Sequence, residues 1–123
     1  MDARVVIVDD HPSFRSAARR LLVDDGFTVV GEAADGAGAV DAVRDLRPDV
    51  VLLDVGLPDT DGFAVARVLA AGAAPPAVVL VSSRSRADYG SRVADSGARG
   101  FIAKSELTGD AVRLLLAGAD GSP

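Results

Sequence analysis

Five polar residues of this chain stand directly behind apolar runs. Asp9 and Asp10 follow Arg4-Val5-Val6-Ile7-Val8, and Asp54 follows Val50-Val51-Leu52-Leu53. Ser82 follows Ala77-Val78-Val79-Leu80-Val81, and Lys104 follows Gly100-Phe101-Ile102-Ala103. Three carboxylates brought together repel one another and stay ionised only if a cation shares their site. An all-oxygen set of few ligands, completed by water, selects Mg²⁺. Lys104 would bring a second positive charge; of the 13 basic residues it alone is a lysine, a compact point charge where an arginine would present a planar fork. Mg²⁺, an ammonium and the Ser82 hydroxyl together suit the equatorial oxygens of a phosphoryl group, and Asp54 is left as the nucleophile.

That chemistry requires the runs to be strands whose ends meet. Between them lie amphipathic segments. After Asp9-Asp10-His11, Pro12 suits a first helical turn, and Phe14, Ala17, Ala18, Leu21 and Leu22 fall on one helical face up to Asp24. Asp25-Gly26 stops that helix. Phe27 to Val30 reads as a second strand leaving through Gly31-Glu32, with Ala33 to Gly38 as a pliant loop and a second helix over about 39–47, closed by Pro48. Asp59 and Asp61 shape the turn after Asp54 and cap a third helix with Phe63, Ala66 and Leu69 inward. A fourth helix over 87–96 is the poorest, with Tyr89 and Val93 as its main inward residues and Gly90 in its interior, and it is expected to be mobile. Thr108 caps a fifth helix, Leu107 staples against Val112, and the helix is expected to end by Gly118. Residues 1–118 thus form one domain, and 119–123 read as a tail or the start of a linker.

Five near-continuous apolar strands alternating with five helices imply a parallel sheet covered on both faces, an α/β doubly wound sandwich. In such sheets ligands sit beyond the carboxyl ends of the strands, where the five residues named above stand. The net charge of −5 argues against a nucleic-acid grip by this segment alone, because neutralising phosphates needs a basic surplus on some face. No apolar run approaches the ~20 residues of a membrane span. Without a signal-like start or any cysteine, a cytoplasmic protein is expected. His11, the single histidine, reads as a surface residue.

With these residues in view, the chain resembles a response-regulator receiver domain of two-component signalling over residues 4–117. The Asp9-Asp10 pair, the stretch from Leu52 to Gly62 around Asp54, Ser82, Phe101 and Lys104 carry the likeness. The resemblance implies a flavodoxin-like (βα)5 three-layer sandwich of strand order 2-1-3-4-5, the order for which a receiver is a standard example. It implies that Asp54 accepts a phosphoryl group from a sensor histidine kinase, with Mg²⁺ held by Asp10, Asp54 and the backbone carbonyl of Gly56 and supported by Asp9. Ser82 and Phe101 would then act as switch residues that repack the surface of the fourth helix, fifth strand and fifth helix. Gly56 and Arg84 hold positions that flank the incoming water in this family and are candidates for tuning the lifetime of the phosphorylated state.

The Asp9-Asp10-His11-Pro12 opening and Lys104-Ser105-Glu106-Leu107 resemble receivers of NarL-like transcriptional regulators. Where many receivers have proline after the lysine, Ser105 stands here, and Phe101 replaces a commoner tyrosine. The implied protein is a signalling domain and not an enzyme beyond handling its own phosphoryl group. It is expected to form a homodimer on phosphorylation and to reach DNA only through an output domain outside this sequence. Two alternatives have distinct signatures. A degenerate receiver serving as a phosphorylation-independent interaction module would lack part of the Asp10, Asp54, Ser82 and Lys104 set. A haloacid-dehalogenase-like phosphatase would need a second aspartate two residues after Asp54, where Gly56 stands.

Overall fold

The strands Arg4–Val8, Val50–Asp54 and Ala77–Ser82 are apolar runs rich in valine, isoleucine and leucine, the β-branched residues suiting a pleated, covered surface. The computed structural model describes residues 3–121. In chain order they are β1 (Arg4–Val8), α1 (Pro12–Asp24), β2 (Thr28–Ala33), α2 (Gly36–Leu46), β3 (Val50–Asp54), α3 (Gly62–Ala70), β4 (Ala77–Ser82), α4 (Arg92–Asp95), β5 (Gly100–Ala103) and α5 (Gly109–Gly121). Single 3-10 turns at Arg86–Asp88 and Lys104–Glu106 precede α4 and α5. All pairings are parallel, in the order β2-β1-β3-β4-β5.

Alternate strand residues feed two cores. Val6, Val8, Val51, Leu53, Val78 and Leu80 face the layer of α2 and α3, where Phe63 and Ala66 are fully buried. Val5, Ile7, Leu52, Val79 and Val81 face α1 and α5, packing on Leu22, Leu107 and Val112. Because both faces are covered, period-2 polarity is absent from the strands, and the three-layer sandwich expected from the sequence is the one found.

The register serves the site. Val8 lies beside Leu53, Asp54 beside Val81, and Ser82 beside Ala103, so the next residue of each neighbouring strand arrives at one edge. Connections hold that edge in place. Glu32 at the end of β2 accepts from Arg19 Nε at 2.7 Å and Arg15 Nε at 3.0 Å, tying α1 to the sheet. On the far side Asp25 accepts from the Gly109 amide at 2.8 Å, which joins the end of α1 to the start of α5.

Several boundaries depart from the sequence-based expectation. Helix α2 begins at Gly36 and not near Ala39, because Asp35 caps it by accepting from the Gly38 amide and Asp59 accepts from the Gly36 and Ala37 amides. The small-residue stretch is therefore partly first helical turn, and Asp59 caps α2 across the loop while Asp61 alone caps α3 through Ala64. Ala17 turns outward from the expected stripe of α1. Strand β2 extends to Ala33, through a register irregularity opposite Val5 and Val6. The expected helix over 87–96 is a 3-10 turn and a four-residue α4, split where Gly90 takes φ +57°. Helix α5 continues past Gly118 to Gly121, so 119–121 belong to it; Ser122 and Pro123 lie outside the described residues.

Candidate functional site

At the carboxyl edge of the sheet, β1 and β3 deliver the two most deeply buried carboxylates. Asp9 is 0 % exposed and Asp54 5 %. Between them stands Lys104, whose Nζ lies 2.6 Å from Asp9 Oδ2 and 3.5 Å from Asp54 Oδ2. The Lys104 ammonium also lies 4.4 Å from the centre of the Phe14 ring, which shields it from water on the α1 side. One lysine thus serves two buried anions, and their titrations separate accordingly. For Asp9, burial pushes the carboxyl up, but the Lys104 ammonium beside it and the hydrogen bonds it shares with the backbone and ring of His11 outweigh that, and the group is held below the ordinary carboxylate range. For Asp54, burial and then the charge of Asp9 push the carboxyl up, and Lys104 and the Gly56 amide only partly offset them.

Asp10 is exposed and borders the same space. Neither it nor Asp9 caps α1, whose N-cap is His11 with no side-chain cap bond. Instead Asp9 Oδ1 accepts from the His11 amide at 2.8 Å. The His11 ring is exposed, as expected of a surface residue, yet turns its Nδ1 to 2.9 Å from Asp9 Oδ1 and 3.1 Å from Asp10 Oδ1. One ligand atom from each of Asp9, Asp10, His11 and Asp54 can be chosen so that all lie within 4.8 Å of one another.

This donor set fits a hard divalent cation. Its buried members are carboxylate oxygens, and Asp9 Oδ2, although paired in charge with Lys104, makes no hydrogen bond of acceptable direction. Acceptor capacity is therefore left over inside the site.

The turn after β3 is built around the Asp54 backbone. Gly56 donates its amide to Asp54 Oδ1 at 3.3 Å, and the space over its α-carbon is open. Gly62 returns beneath it, donating to the Val55 carbonyl at 2.7 Å. A Cβ at Gly62 would lie 2.4 Å from the Asp54 carbonyl oxygen, so only glycine permits this approach. In the sequence Gly62 is a turn signal and nothing more, because no local pattern encodes this contact.

Ser82 is buried at the end of β4, but its partners lie toward α4. Its Oγ is 2.7 Å from the Tyr89 hydroxyl and accepts from the Arg84 amide at 3.0 Å. The Arg84 side chain is exposed. Phe101 on β5 is half-buried, its ring 5.8 Å from that of Tyr89, which in turn meets Phe63 edge-on at 5.3 Å. Tyr89 is legible in the sequence as an inward residue; its hydroxyl contact with Ser82 is not.

The site can hold a cation beside a buried carboxylate with an ammonium at its flank. The family model for the response regulator receiver domain matches residues 5–116. The chain is 33 % identical over 116 residues to the DNA-binding transcriptional activator EvgA of Escherichia coli, covering 94 % of this chain and 57 % of EvgA. It thus spans little more than half the length of the curated relatives it matches. Among solved structures, the signal receiver domain of NarL from Mycobacterium tuberculosis superposes with a TM-score of 0.85 at 36 % identity, covering 98 % of each chain. A LuxR-family two-component response regulator from Aurantimonas superposes with a TM-score of 0.85 at 30 % identity, over 95 % of this chain and 84 % of that one.

Proposed function

The chain belongs to the response regulator receiver domain family, and from that premise we propose that Asp54 is its phosphoacceptor. The observation that carries the reading is a buried carboxylate at the end of a central strand, with Asp9 on one side and the Lys104 ammonium 3.5 Å from its own oxygen. An Asp54 oxygen attacks the phosphorus of a phosphohistidine on a sensor kinase. The new O–P bond forms as the donor's P–N bond breaks, and the electron pair leaves with the imidazole, which takes up a proton. Lys104 balances charge gathering on the phosphoryl oxygens, and the Ser82 hydroxyl donates to one of them.

Mg²⁺ fits the acidic set: Asp10, Asp54 and the Gly56 carbonyl would hold it, with Asp9 in support. When bound it would supply the charge neutralisation that phosphoryl transfer between anions requires. Phe101 follows Ser82 as the second switch residue, and Gly56 and Arg84 set how long the acyl phosphate lasts. Likeness to transcriptional regulators supports a DNA-binding output controlled through the surface of α4, β5 and α5, with a homodimer formed on phosphorylation. The complete set of Asp10, Asp54, Ser82 and Lys104 counts against a degenerate module, and glycine at position 56 against a phosphatase of the haloacid-dehalogenase kind.

Intact-protein mass spectrometry after incubation with Mg²⁺ and a small phosphodonor tests the reading. One added phosphoryl group is expected in the wild type, with none in Asp54→Asn and none when the metal is chelated. No added mass, or mass that persists in Asp54→Asn, overturns it.

A further inference from the structure

Tyr89 is the only tyrosine of the chain, which has no tryptophan. It sits between the Arg86–Asp88 turn and α4, with its ring wedged between Phe63 and Phe101. Its hydroxyl and that of Ser82 are 2.7 Å apart, one donating to the other, while the Arg84 amide donates to a Ser82 lone pair. A serine hydroxyl has one proton and two lone pairs. The Arg84 amide occupies one lone pair, and with Ser82 as donor to Tyr89 its single proton is also engaged on the α4 side; among the described residues no hydrogen bond joins it to Asp54.

Resting on the phosphoacceptor reading above, we propose that Tyr89 is a positioning residue that holds the Ser82 hydroxyl off Asp54 in the unphosphorylated protein. Phosphorylation then exchanges the Tyr89–Ser82 bond for one from Ser82 to a phosphoryl oxygen. The exchange runs downhill because a hydrogen bond to an anion is roughly twice as strong as one between neutral groups. Tyr89, being half-buried, can turn its hydroxyl to water once Ser82 leaves.

The consequence reaches the surface. Between Arg84 and Asp95 the only fully buried apolar side chain is Val93. Apart from it, the segment is held by the Tyr89 ring and hydroxyl and by Arg92, whose guanidinium lies 4.4 Å above the Phe63 ring. Releasing the hydroxyl removes one of these few ties, so Tyr89 passes the state of Asp54 to 86–95 alongside the movement of Phe101.

The single tyrosine makes the proposal measurable. Wild-type protein is titrated with Mg²⁺ and beryllofluoride, a phosphoryl mimic, while tyrosine emission is followed. Separately, the phosphorylated fraction at limiting small phosphodonor is read by mass in wild type, Tyr89→Phe, Ser82→Ala and the double variant. Emission should change saturably, and not in Asp54→Asn. Tyr89→Phe, which keeps the ring and loses the competing hydroxyl, should reach half-phosphorylation at about two- to tenfold lower donor, the equilibrium equivalent of one neutral hydrogen bond. On the Ser82→Ala background the same substitution should do nothing. Unchanged or weaker phosphorylation of Tyr89→Phe, or emission that stays flat while mass shows a phosphorylated protein, overturns the proposal. A wild type that gains no phosphoryl mass removes the phosphoacceptor reading itself and the proposal with it.

Discussion

Where β1 and β3 end, backbone is held by carboxylates and by close backbone contact; where β4 and β5 end, it is held mostly by aromatic rings. On the first side Asp59 takes the two leading amides of α2, Asp61 caps α3, and Gly62 lies against the Asp54 carbonyl. On the second side there are a three-residue 3-10 turn, a glycine with positive φ, a four-residue α4 and one hydroxyl pair. The difference teaches how one sheet edge can both hold charge and report on it. Buried like charges need fixed geometry to stay paired with one lysine, whereas an element that rearranges must come from the low-stability end of the fold.

The largest expected effect attacks the rigid side. Gly62→Ala would put a Cβ 2.4 Å from the Asp54 carbonyl oxygen and 2.8 Å from the Val55 α-carbon, both backbone atoms that cannot swing away. Urea unfolding should show a loss of about 1–3 kcal/mol or more, the scale of overpacking a filled site. Gly56→Ala, earlier in the same turn and facing open space, should stay within about 0.5 kcal/mol. Equal losses for the two glycines would erase the claim that the turn is built beneath Asp54.

Next comes the charge. Asp54 has its carboxyl raised by burial and by Asp9, so folding penalises its ionised form. The penalty is absent below the ordinary aspartate range, where the group is protonated folded or unfolded, and it is complete once pH has risen through the folded value. Asp54→Asn should therefore raise the melting temperature at neutral pH, with the gain shrinking as pH falls into the acid range. Asp9 has the opposite sign. Its lowered carboxyl contributes stability above the ordinary aspartate range and loses it as pH falls through the folded value. Thermal melts across pH on wild type and Asp54→Asn check this, and a substitution that destabilises at neutral pH would show that Lys104 serves Asp54 better than Asp9.

The same contrast separates what was legible in the sequence from what was not. Strand ends were legible because a buried parallel strand is an apolar run, and the first polar residue after it reaches the edge; Asp9, Asp54, Ser82 and Lys104 all stand where that reasoning put them. Features that depend on distant partners were hidden. The start of α2 at Gly36 contradicts local propensity, because two glycines in a first turn become helical only when Asp35 and Asp59 supply acceptors, the latter from 23 residues away. Tyr89 and Ser82 are seven residues apart, but Ser82 ends a strand and Tyr89 follows a 3-10 turn, so no shared element has a period that pairs them. The break in the fourth helix was half legible. Gly90 announced a weak helix, but its positive φ, next to a Tyr89 ring packed between Phe63 and Phe101, was not legible.

That glycine gives the smallest test, on the compliant side. Gly90 has φ +57° with nothing within 4 Å of the position a Cβ would take, so alanine there meets backbone strain alone. The left-handed conformation costs an L-residue roughly 1–2 kcal/mol. If 86–95 is bound to the fold as loosely as its contacts imply, little of that cost should reach the global unfolding midpoint. It should appear as faster hydrogen exchange at the Arg92 and Asp95 amides, which bond to Tyr89 and Ser91 within the segment, while amides of β1 and β3 keep their protection. A midpoint shift as large as that of Gly62→Ala would mean that α4 unfolds with the core, and the two sides of the site would then be one cooperative unit.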